Sequence, residues 1–130
     1  MTMNDSLAGA LSQILISERL GRNEVLVKPA SKMIKKVLDI MNEHLYIGKY
    51  TEIQDHKGNI LKISLIGKIN KCGVVKPRYS VAKNEFEKFE RRYLPAKGFG
   101  ILIVSTPKGM MTHNEAKENK TGGRLIAYCY

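Results

Sequence analysis

The sequence is poor in the residues that mark secreted and membrane-spanning chains. It contains two cysteines, Cys72 and Cys129, among 130 residues, and it has no tryptophan. Two cysteines form one disulfide at most, and no C-x-x-C pair indicates a zinc or redox motif. No apolar run approaches the ~20 residues that span a bilayer, and the first residues lack the basic stretch of a signal peptide. We therefore expect a cytoplasmic protein with no membrane partner, whose cysteines are reduced packing residues.

Acidic side chains are also scarce. The chain has 12 Asp and Glu residues against 22 Lys and Arg residues, which gives a formal net charge of +10 and a pI near 9.7. Residues 1–66 contain nine basic and seven acidic residues, a net of +2, whereas residues 67–130 contain thirteen and five, a net of +8. An excess of this size favours a polyanionic partner, most often nucleic acid. A basic surface without a partner is the alternative.

The motifs of common catalytic and cofactor sites are missing as well. The phosphate-binding pattern G-x-x-x-x-G-K-[ST] is absent. No G-x-S-x-G turn surrounds Ser105, and His113 lies in the first turn of a predicted helix. His44, His56 and His113 are scattered without the spacing of metal ligands, and we expect all three to be exposed or half-buried. The sequence therefore predicts no catalytic residue, no metal site, no cofactor and no enzyme activity.

The predicted order of helices and strands changes near Gly67, which divides the sequence into two segments. Residues 1–66 are predicted to follow the order α-β-α-β-β, and residues 67–130 the order β-α-β-α-β. Ser31 is the predicted N-cap of the second helix, and Thr112 with Glu115 forms a T-x-x-E capping box before the last helix. We expect an α+β fold with two small, tightly associated α/β domains, one over residues 1–66 and a basic one over residues 67–130.

The sequence STPKG at residues 105–109 follows a predicted strand, residues 101–104, which is apolar on both faces and is therefore expected to be central. Pro107 cannot donate to a β-ladder, so pairing is expected to end there. The two hydroxyls suit 2′-OH groups, phosphate oxygens and base edges, and Lys108 suits phosphate. Gly109 permits a turn or a close approach to a ligand. An RNA-reading loop and an ordinary strand–turn–helix connection both fit this pattern.

Two further segments are candidates for RNA contact. In one, basic residues flank a pair of glycines, and in the other, lysines lie near the start of a predicted helix. Residues 120–124 read K-T-G-G-R before the final predicted strand. Paired glycines mark a bulge or a place where another backbone comes close. An RNA backbone is one candidate neighbour, because Lys120 and Arg124 flank the glycines, and a plain turn is the alternative. Lys28 and Lys32 lie near the start of the second helix, where a solvated face and a phosphate contact both remain open.

Three motifs occur together in one order along the chain. They are N-D-S-L-A at residues 4–8, S-T-x-x-G-M-M-T with E-A just beyond it, and T-G-G-R before the last strand. Together they resemble the small-subunit ribosomal protein S8 family over nearly the whole chain. The segments N-K-C-G at residues 70–73 and K-P-R-Y at residues 76–79 resemble the archaeal and eukaryotic branch of that family.

The resemblance implies a fold of two small α/β domains and a structural role in the small ribosomal subunit. Members of the family are primary binders of the central domain of small-subunit rRNA and help to assemble the platform beside neighbouring small-subunit ribosomal proteins. The basic domain, residues 67–130, is then the RNA-binding one. Some bacterial members also bind their own messenger RNA. A regulatory protein that binds a messenger RNA mimicking the rRNA site is therefore the alternative function.

The resemblance also implies which residues contact RNA. The main contact loop is implied at Ser105, Thr106, Pro107, Lys108 and Gly109, the second at Thr121, Gly122 and Gly123 beside the basic Arg124, and lesser contacts near Asn4, Lys28 and Lys32. The family loop usually reads S-T-S or T-T-S, whereas position 107 here is proline, which removes a hydroxyl and a backbone N–H together. We expect Ser105 and Thr106 to present hydroxyls to the minor-groove side of a folded RNA, since duplex RNA hides its major groove.

Overall fold

The computed structural model describes residues 6–28, 30–76, 78–96 and 98–130. Helices and antiparallel sheets make up these ranges, so the predicted α+β class is confirmed. The chain divides into two compact units, Met1–Lys71 and Cys72–Tyr130. The predicted domain ranges, which meet after residue 66, stay a prediction. No helix in the described ranges has the length and apolar character needed to cross a bilayer.

In its described residues, the first unit has two helices and a three-stranded antiparallel sheet with the strand order β1-β3-β2. Its elements are α1 (Ser6–Arg19), β1 (Glu24–Val27), α2 (Lys32–Glu43), β2 (Ile47–Ile53) and β3 (Ile60–Leu65). Ser31 is the N-cap of α2, as predicted, and its hydroxyl accepts the Ile34 N–H at 3.2 Å. Helical spacing turns Ile34, Val37 and Met41 to one face, and all three are buried.

The part of the second unit that the structure describes has two helices and one five-stranded antiparallel sheet. Its elements are β4 (Cys72–Val74), β5 (Ser80–Val81), α3 (Phe86–Tyr93), β6 (Ile101–Thr106), β7 (Gly109–Thr112), α4 (His113–Glu118) and β8 (Gly123–Cys129). The sheet runs β4-β8-β6-β7, and β5 also pairs with β8. The strands β5 and β7 are additional to the predicted order β-α-β-α-β. A two-residue strand and a strand that returns directly from a tight turn leave too little alternation for the sequence to indicate them.

The core of the second unit includes side chains of α3 and of the central strands. Phe86 and Phe89 of α3 belong to one buried cluster with Leu102 and Val104 of β6 and Leu125 of β8. Strand β6 lies between β8 and β7, and its first four residues are all buried. The prediction of a central, doubly covered strand at this position is therefore confirmed, and its exposed end lies at residue 105.

Candidate nucleic-acid interface

The segment 105–109 forms the tip of a β-hairpin between β6 and β7. Thr106 pairs with Gly109, so only Pro107 and Lys108 occupy the turn. Gly109 has a φ of +120°, a conformation that side chains other than glycine rarely adopt. Pairing does stop at Pro107, but it resumes at Gly109, and the strand–turn–helix alternative is therefore wrong. The chain first returns along β6 as β7 and only then enters α4.

Thr106 holds this tip together from within. Its Oγ1 donates to the Gly109 carbonyl at 2.7 Å and accepts the Lys108 N–H at 3.1 Å. The residue is buried, with 8% of its surface exposed. A hydroxyl has one proton to donate, and this proton is used inside the turn. The structure thus gives Thr106 a shaping role, and its direct contact with RNA stays a prediction.

Ser105 belongs to a row of exposed side chains that crosses the sheet. It lies opposite Arg124 of β8, and Arg124 lies opposite Ser80 of β5. Residues directly opposite each other in neighbouring strands project to the same face. All three are exposed. We call Ser80, Arg124 and Ser105 the polar row. It presents a guanidinium between two hydroxyls, which are the groups that contact phosphates and 2′-OH groups.

Ser80 is a residue that the sequence did not single out. It lies in a strand of two residues, β5, that pairs with β8. Such a strand shows no alternation, and a lone serine carries no motif. The only signal was its position between the basic residues Arg78 and Lys83, and that signal does not say which way the side chain points.

Gly122 and Gly123 lie where β8 meets its neighbours most closely. A Cβ at Gly123 would overlap the carbonyl oxygen of Ser105, and a Cβ at Gly122 would overlap the carbonyl oxygen of Val81. The close approach that paired glycines indicate therefore occurs, and the approaching backbone is the protein's own. These glycines bring Arg124 into line with Ser105. A direct contact of Gly122, Gly123 or the half-buried Thr121 with RNA stays a prediction.

Helix α4 joins the hairpin to the T-G-G-R segment and is held at both ends. At its start the Thr112 hydroxyl accepts the Glu115 N–H at 3.3 Å, and the Glu115 carboxylate lies 3.3 Å from the same hydroxyl. The N-cap half of the predicted capping box is therefore confirmed. At its end the N–H groups of Lys120 and Thr121 return to the carbonyls of Lys117 and Ala116, which is a Schellman motif.

Lys120 occupies the position of this motif that usually belongs to glycine. Its φ is +52°, and a left-handed conformation costs a residue with a Cβ about 1 kcal/mol. The side chain is exposed and adjoins the T-G-G-R segment. The sequence already placed Lys120 beside a candidate RNA backbone, and its contact with RNA stays a prediction.

A buried polar cluster lies under α4. Glu90 of α3 is in contact with Lys117 Nζ, and its carboxylate lies 3.5 Å from His113 Nε2. His113 Nδ1 accepts the Leu102 N–H at 3.1 Å and so continues the hydrogen bonding of β6 beyond β7. The expectation that His113 is exposed or half-buried is wrong, since 1% of its surface is exposed. The Lys117–Glu90 ion pair and the histidine join α3, α4 and β6, which gives this cluster a structural role.

The two candidate lysines of the first unit, Lys28 and Lys32, differ in their electrostatic surroundings. Lys28 Nζ lies 3.1 Å from the Asp55 carboxylate, so its charge is partly neutralised. Lys32 is the first residue of α2 and is exposed, close to the positive end of the helix dipole. The predicted contact at Asn4 lies outside the described residues.

The sequence of the chain matches the protein-family model described as Ribosomal protein S8 over residues 5–130. The match spans all eight strands and all four helices of the described ranges. It includes the hairpin tip, α4 and the T-G-G-R segment together.

Proposed function

Because the chain belongs to the ribosomal protein S8 family, whose members are structural proteins of the small ribosomal subunit and not enzymes, we propose that it is a primary binder of the central domain of small-subunit rRNA. In this role it helps to assemble the platform of the subunit, beside neighbouring ribosomal proteins, in the cytoplasm. The polar row, Ser80, Arg124 and Ser105, is the observation that carries the proposal.

The polar row supports the proposal of RNA binding because its hydroxyl and guanidinium groups match the groups that a folded RNA exposes. An RNA duplex displays 2′-hydroxyls and phosphates along a wide, shallow minor groove. Ser105 donates to or accepts from a 2′-OH, and the Arg124 guanidinium reaches two phosphate oxygens at once. Lys108 is exposed at the hairpin tip and adds a point charge for a further phosphate. Specificity for one RNA then comes from irregular, unpaired bases within the site.

The remaining residues of this surface act through its shape. Thr106 fixes the tip from which Lys108 projects, and Pro107 presets its backbone angle φ. Gly109, Gly122 and Gly123 permit the turn and the close strand approaches. Thr121 stands at the end of α4, where its backbone N–H completes the Schellman motif. In the proposal these residues position the contacts, whether or not each also touches RNA.

The first unit supplies weaker contacts. Lys32 meets phosphate at the start of α2, where helix N–H groups and the dipole also favour an anion. Lys28 contributes less because Asp55 already accepts its charge, and Asn4 contributes through its amide. The regulatory alternative, binding to a messenger RNA that mimics the rRNA site, stays a prediction, because the same polar row would serve an RNA of the same shape.

The proposal is tested by the affinity of the protein for a central-domain rRNA fragment across a salt series. A scrambled RNA of equal length and equal pairing is the control. We expect a gap of ~10³ or more between the two affinities, and we expect it to persist at moderate salt. Equal and steeply salt-dependent binding to both RNAs would mean that the net charge acts alone, and the proposal would then be wrong.

A single exposed hydroxyl tests the polar row itself. Ser105→Ala removes one hydrogen bond, worth about 0.5–1.5 kcal/mol, so the specific affinity should fall by roughly two- to tenfold. The fold should not change, since Ser105 is exposed at the end of β6. Ser64→Ala, at an exposed serine in β3 of the first unit, is the matched control and should leave affinity unchanged. An unaltered affinity in Ser105→Ala would remove this hydroxyl from the interface.

A further inference from the structure

Two thiols lie directly opposite each other in the sheet of the second unit. Cys72 is the first residue of β4 and Cys129 is the last residue of β8, and the antiparallel register pairs them. Both cysteines are in the reduced form. They are buried, with 4% and 1% of their surfaces exposed. The sequence places these residues far apart and gives no sign that they meet.

The hydrogen bonding of the ladder fixes which kind of pair they form. The Val75 N–H donates to the Ile126 carbonyl at 3.0 Å, which makes these two residues a hydrogen-bonded pair. Hydrogen-bonded and non-hydrogen-bonded pairs alternate along an antiparallel ladder. Counting back from Val75, through the pairs of Val74 and Gly73, makes Cys72 and Cys129 a non-hydrogen-bonded pair.

The backbone spacing of this kind of pair lies within the range that a disulfide accepts, and its side chains come closer together than those of a hydrogen-bonded pair. In non-hydrogen-bonded pairs the Cα atoms lie about 4.5 Å apart and the side chains come closest. Disulfides need Cα atoms roughly 4.4–6.8 Å apart, with Cβ atoms on the same side. Directly opposite residues share one face of the sheet, so the register places the side chains of Cys72 and Cys129 on the same face as neighbours.

We propose that Cys72 and Cys129 form a thiol-modification site that is oxidised by small disulfides of the glutathione class to a cross-strand disulfide. One cysteine thiolate attacks a sulfur of the oxidised glutathione and releases one glutathione thiol. The second cysteine thiolate then attacks the mixed disulfide, which forms the bond between the two cysteines and releases the second glutathione thiol. The protein loses two electrons and two protons, and the glutathione disulfide gains them.

The position of β4 determines which cysteine reacts first. β4 has three residues and lies at the edge of the sheet, whereas β8 lies between β4 and β6. A short edge strand opens locally at much lower free energy than a central strand. A buried thiol resists ionisation and reaction, so Cys72 becomes the attacking group when β4 opens. Closing of β4 then returns the mixed disulfide to Cys129, which completes the bond.

Oxidation should stabilise the second unit, because it joins the two ends of that unit. A cross-link constrains the unfolded chain, and the effect grows with the length of the closed loop. Here the loop runs from residue 72 to residue 129. The two cysteines are already paired in the folded sheet, so the bond requires no change of register. The inference concerns the sheet alone and holds whether or not the protein binds rRNA.

The test is the thiol–disulfide equilibrium between the protein and oxidised glutathione. It is measured once for the folded full chain and once for the same chain unfolded in denaturant. Acid quenching, alkylation and intact mass give the fractions of reduced chain, mixed disulfide and internal disulfide. We expect the native chain to favour the internal disulfide over the unfolded chain by at least about tenfold. The oxidised native chain should also melt about 5 °C or more above the reduced chain.

Three outcomes would overturn the proposal. They are an equal preference for the disulfide in the native and unfolded chains, mixed glutathione adducts that never close, and disulfide-linked dimers. Cys129→Ser is the control, because it leaves only Cys72, the attacking thiol, and should end as a single glutathione adduct without the rise in melting temperature. Proteolysis of the oxidised wild type, followed by mass spectrometry, should yield residues 72 and 129 in one linked fragment. That measurement needs no variant to fold.

Discussion

Two β-hairpins of this protein close their turns by the same device, with different chemistry. In the first unit, the turn between β2 and β3 is held by Asp55, whose carboxylate accepts the N–H groups of Lys57 and Asn59 at 2.9 Å. In the second unit, the turn between β6 and β7 is held by Thr106, whose hydroxyl accepts the Lys108 N–H at 3.1 Å. Each turn therefore has an oxygen acceptor followed two residues later by a lysine.

The difference is the charge of the acceptor. The Asp55 carboxylate also pairs with Lys28, and a carboxylate at the turn repels a polyanion that approaches it. Thr106 carries no charge, so the hydroxyl that holds this turn does not neutralise the positive charge of Lys108. The hydroxyl-held turn therefore keeps the full positive charge of its lysine, whereas the carboxylate-held turn carries a negative charge beside its lysine. This difference supports the proposal that the second hairpin faces RNA, which stays a prediction.

The largest loss of stability should come from disturbing the close approach between Gly123 of β8 and the Ser105 carbonyl of β6. Gly123→Val places a side chain where the Ser105 carbonyl lies, and relieving the overlap forces β8 away from β6. We expect a loss of about 3 kcal/mol in the free energy of unfolding, measured by denaturant titration. Arg124→Val, the same side chain at the next, exposed position, is the control. A loss of equal size in both variants would show that the close approach is not the cause.

The next largest loss of stability should come from removing the Thr106 hydroxyl that holds the second hairpin turn. Thr106→Val keeps the shape of the side chain but deletes the hydroxyl, which leaves the Gly109 carbonyl and the Lys108 N–H without this partner. We expect a loss of about 2 kcal/mol in the free energy of unfolding together with weaker rRNA binding. Thr106→Ser retains the hydroxyl and should behave nearly as the wild type. If Val and Ser at this position are equally stable, the hydroxyl does not hold the turn.

The two lysines provide a direct contrast between the hairpins. Lys108→Ala should weaken binding to every RNA and reduce the slope of log affinity against log salt by roughly 0.7–0.9, the value of one phosphate contact. Lys57→Ala, at the matching position of the carboxylate-held turn, should change neither quantity. The measurement is a salt series of binding isotherms for both variants. Equal slopes for the two variants would contradict the division of roles between the turns.

The smallest effect should be a difference in acid sensitivity. The pKa of Asp55 is lowered by the hydrogen bond from the Lys57 N–H first and by the Lys28 side chain next. A carboxyl whose pKa is lower in the folded state stabilises the fold above its unfolded pKa, near 4, and this stability is lost as the pH falls through the folded pKa. The hydroxyl-held turn has no such titration at Thr106.

Thermal unfolding between about pH 6 and pH 3 tests this point. The wild type should lose melting temperature as the pH falls, and Asp55→Asn should show a shallower dependence, because its amide accepts hydrogen bonds without titrating. Glu43→Gln, at an exposed carboxylate outside the turn, is the control for a change of net charge. Identical pH profiles for the wild type and Asp55→Asn would mean that the lowered pKa contributes nothing to stability.

Several features of the fold could be predicted because they depend on neighbours in the sequence. The stripe of α2, the N-caps at Ser31 and Thr112 and the apolar strand ending at residue 104 all follow from local spacing. The family also follows from short motifs in order. Pro107 correctly marked the end of pairing, since the missing N–H is a property of that residue alone.

Other features could not be predicted, because they depend on what lies across the sheet. β7 exists only because Gly109 turns the chain back onto β6. The burial of His113 depends on Glu90 and Leu102, which belong to other elements. The hydroxyls of Ser105 and Thr106 were predicted to act alike, yet one is exposed and the other closes the turn. Adjacent residues in a strand face opposite ways, and only the pairing decides which of them faces the solvent.

The α+β class, the basic character of the second half and the family could all be read from the sequence alone. These properties are sums over residues or short local patterns, and they survive without knowledge of any contact. The tertiary structure was needed to show that Ser80, Arg124 and Ser105 form one row and that Cys72 pairs with Cys129. It also showed that the protein's own backbone approaches the glycines of T-G-G-R closely. Each of these depends on strand register, which joins residues distant in the chain and is set by the packing of the whole sheet.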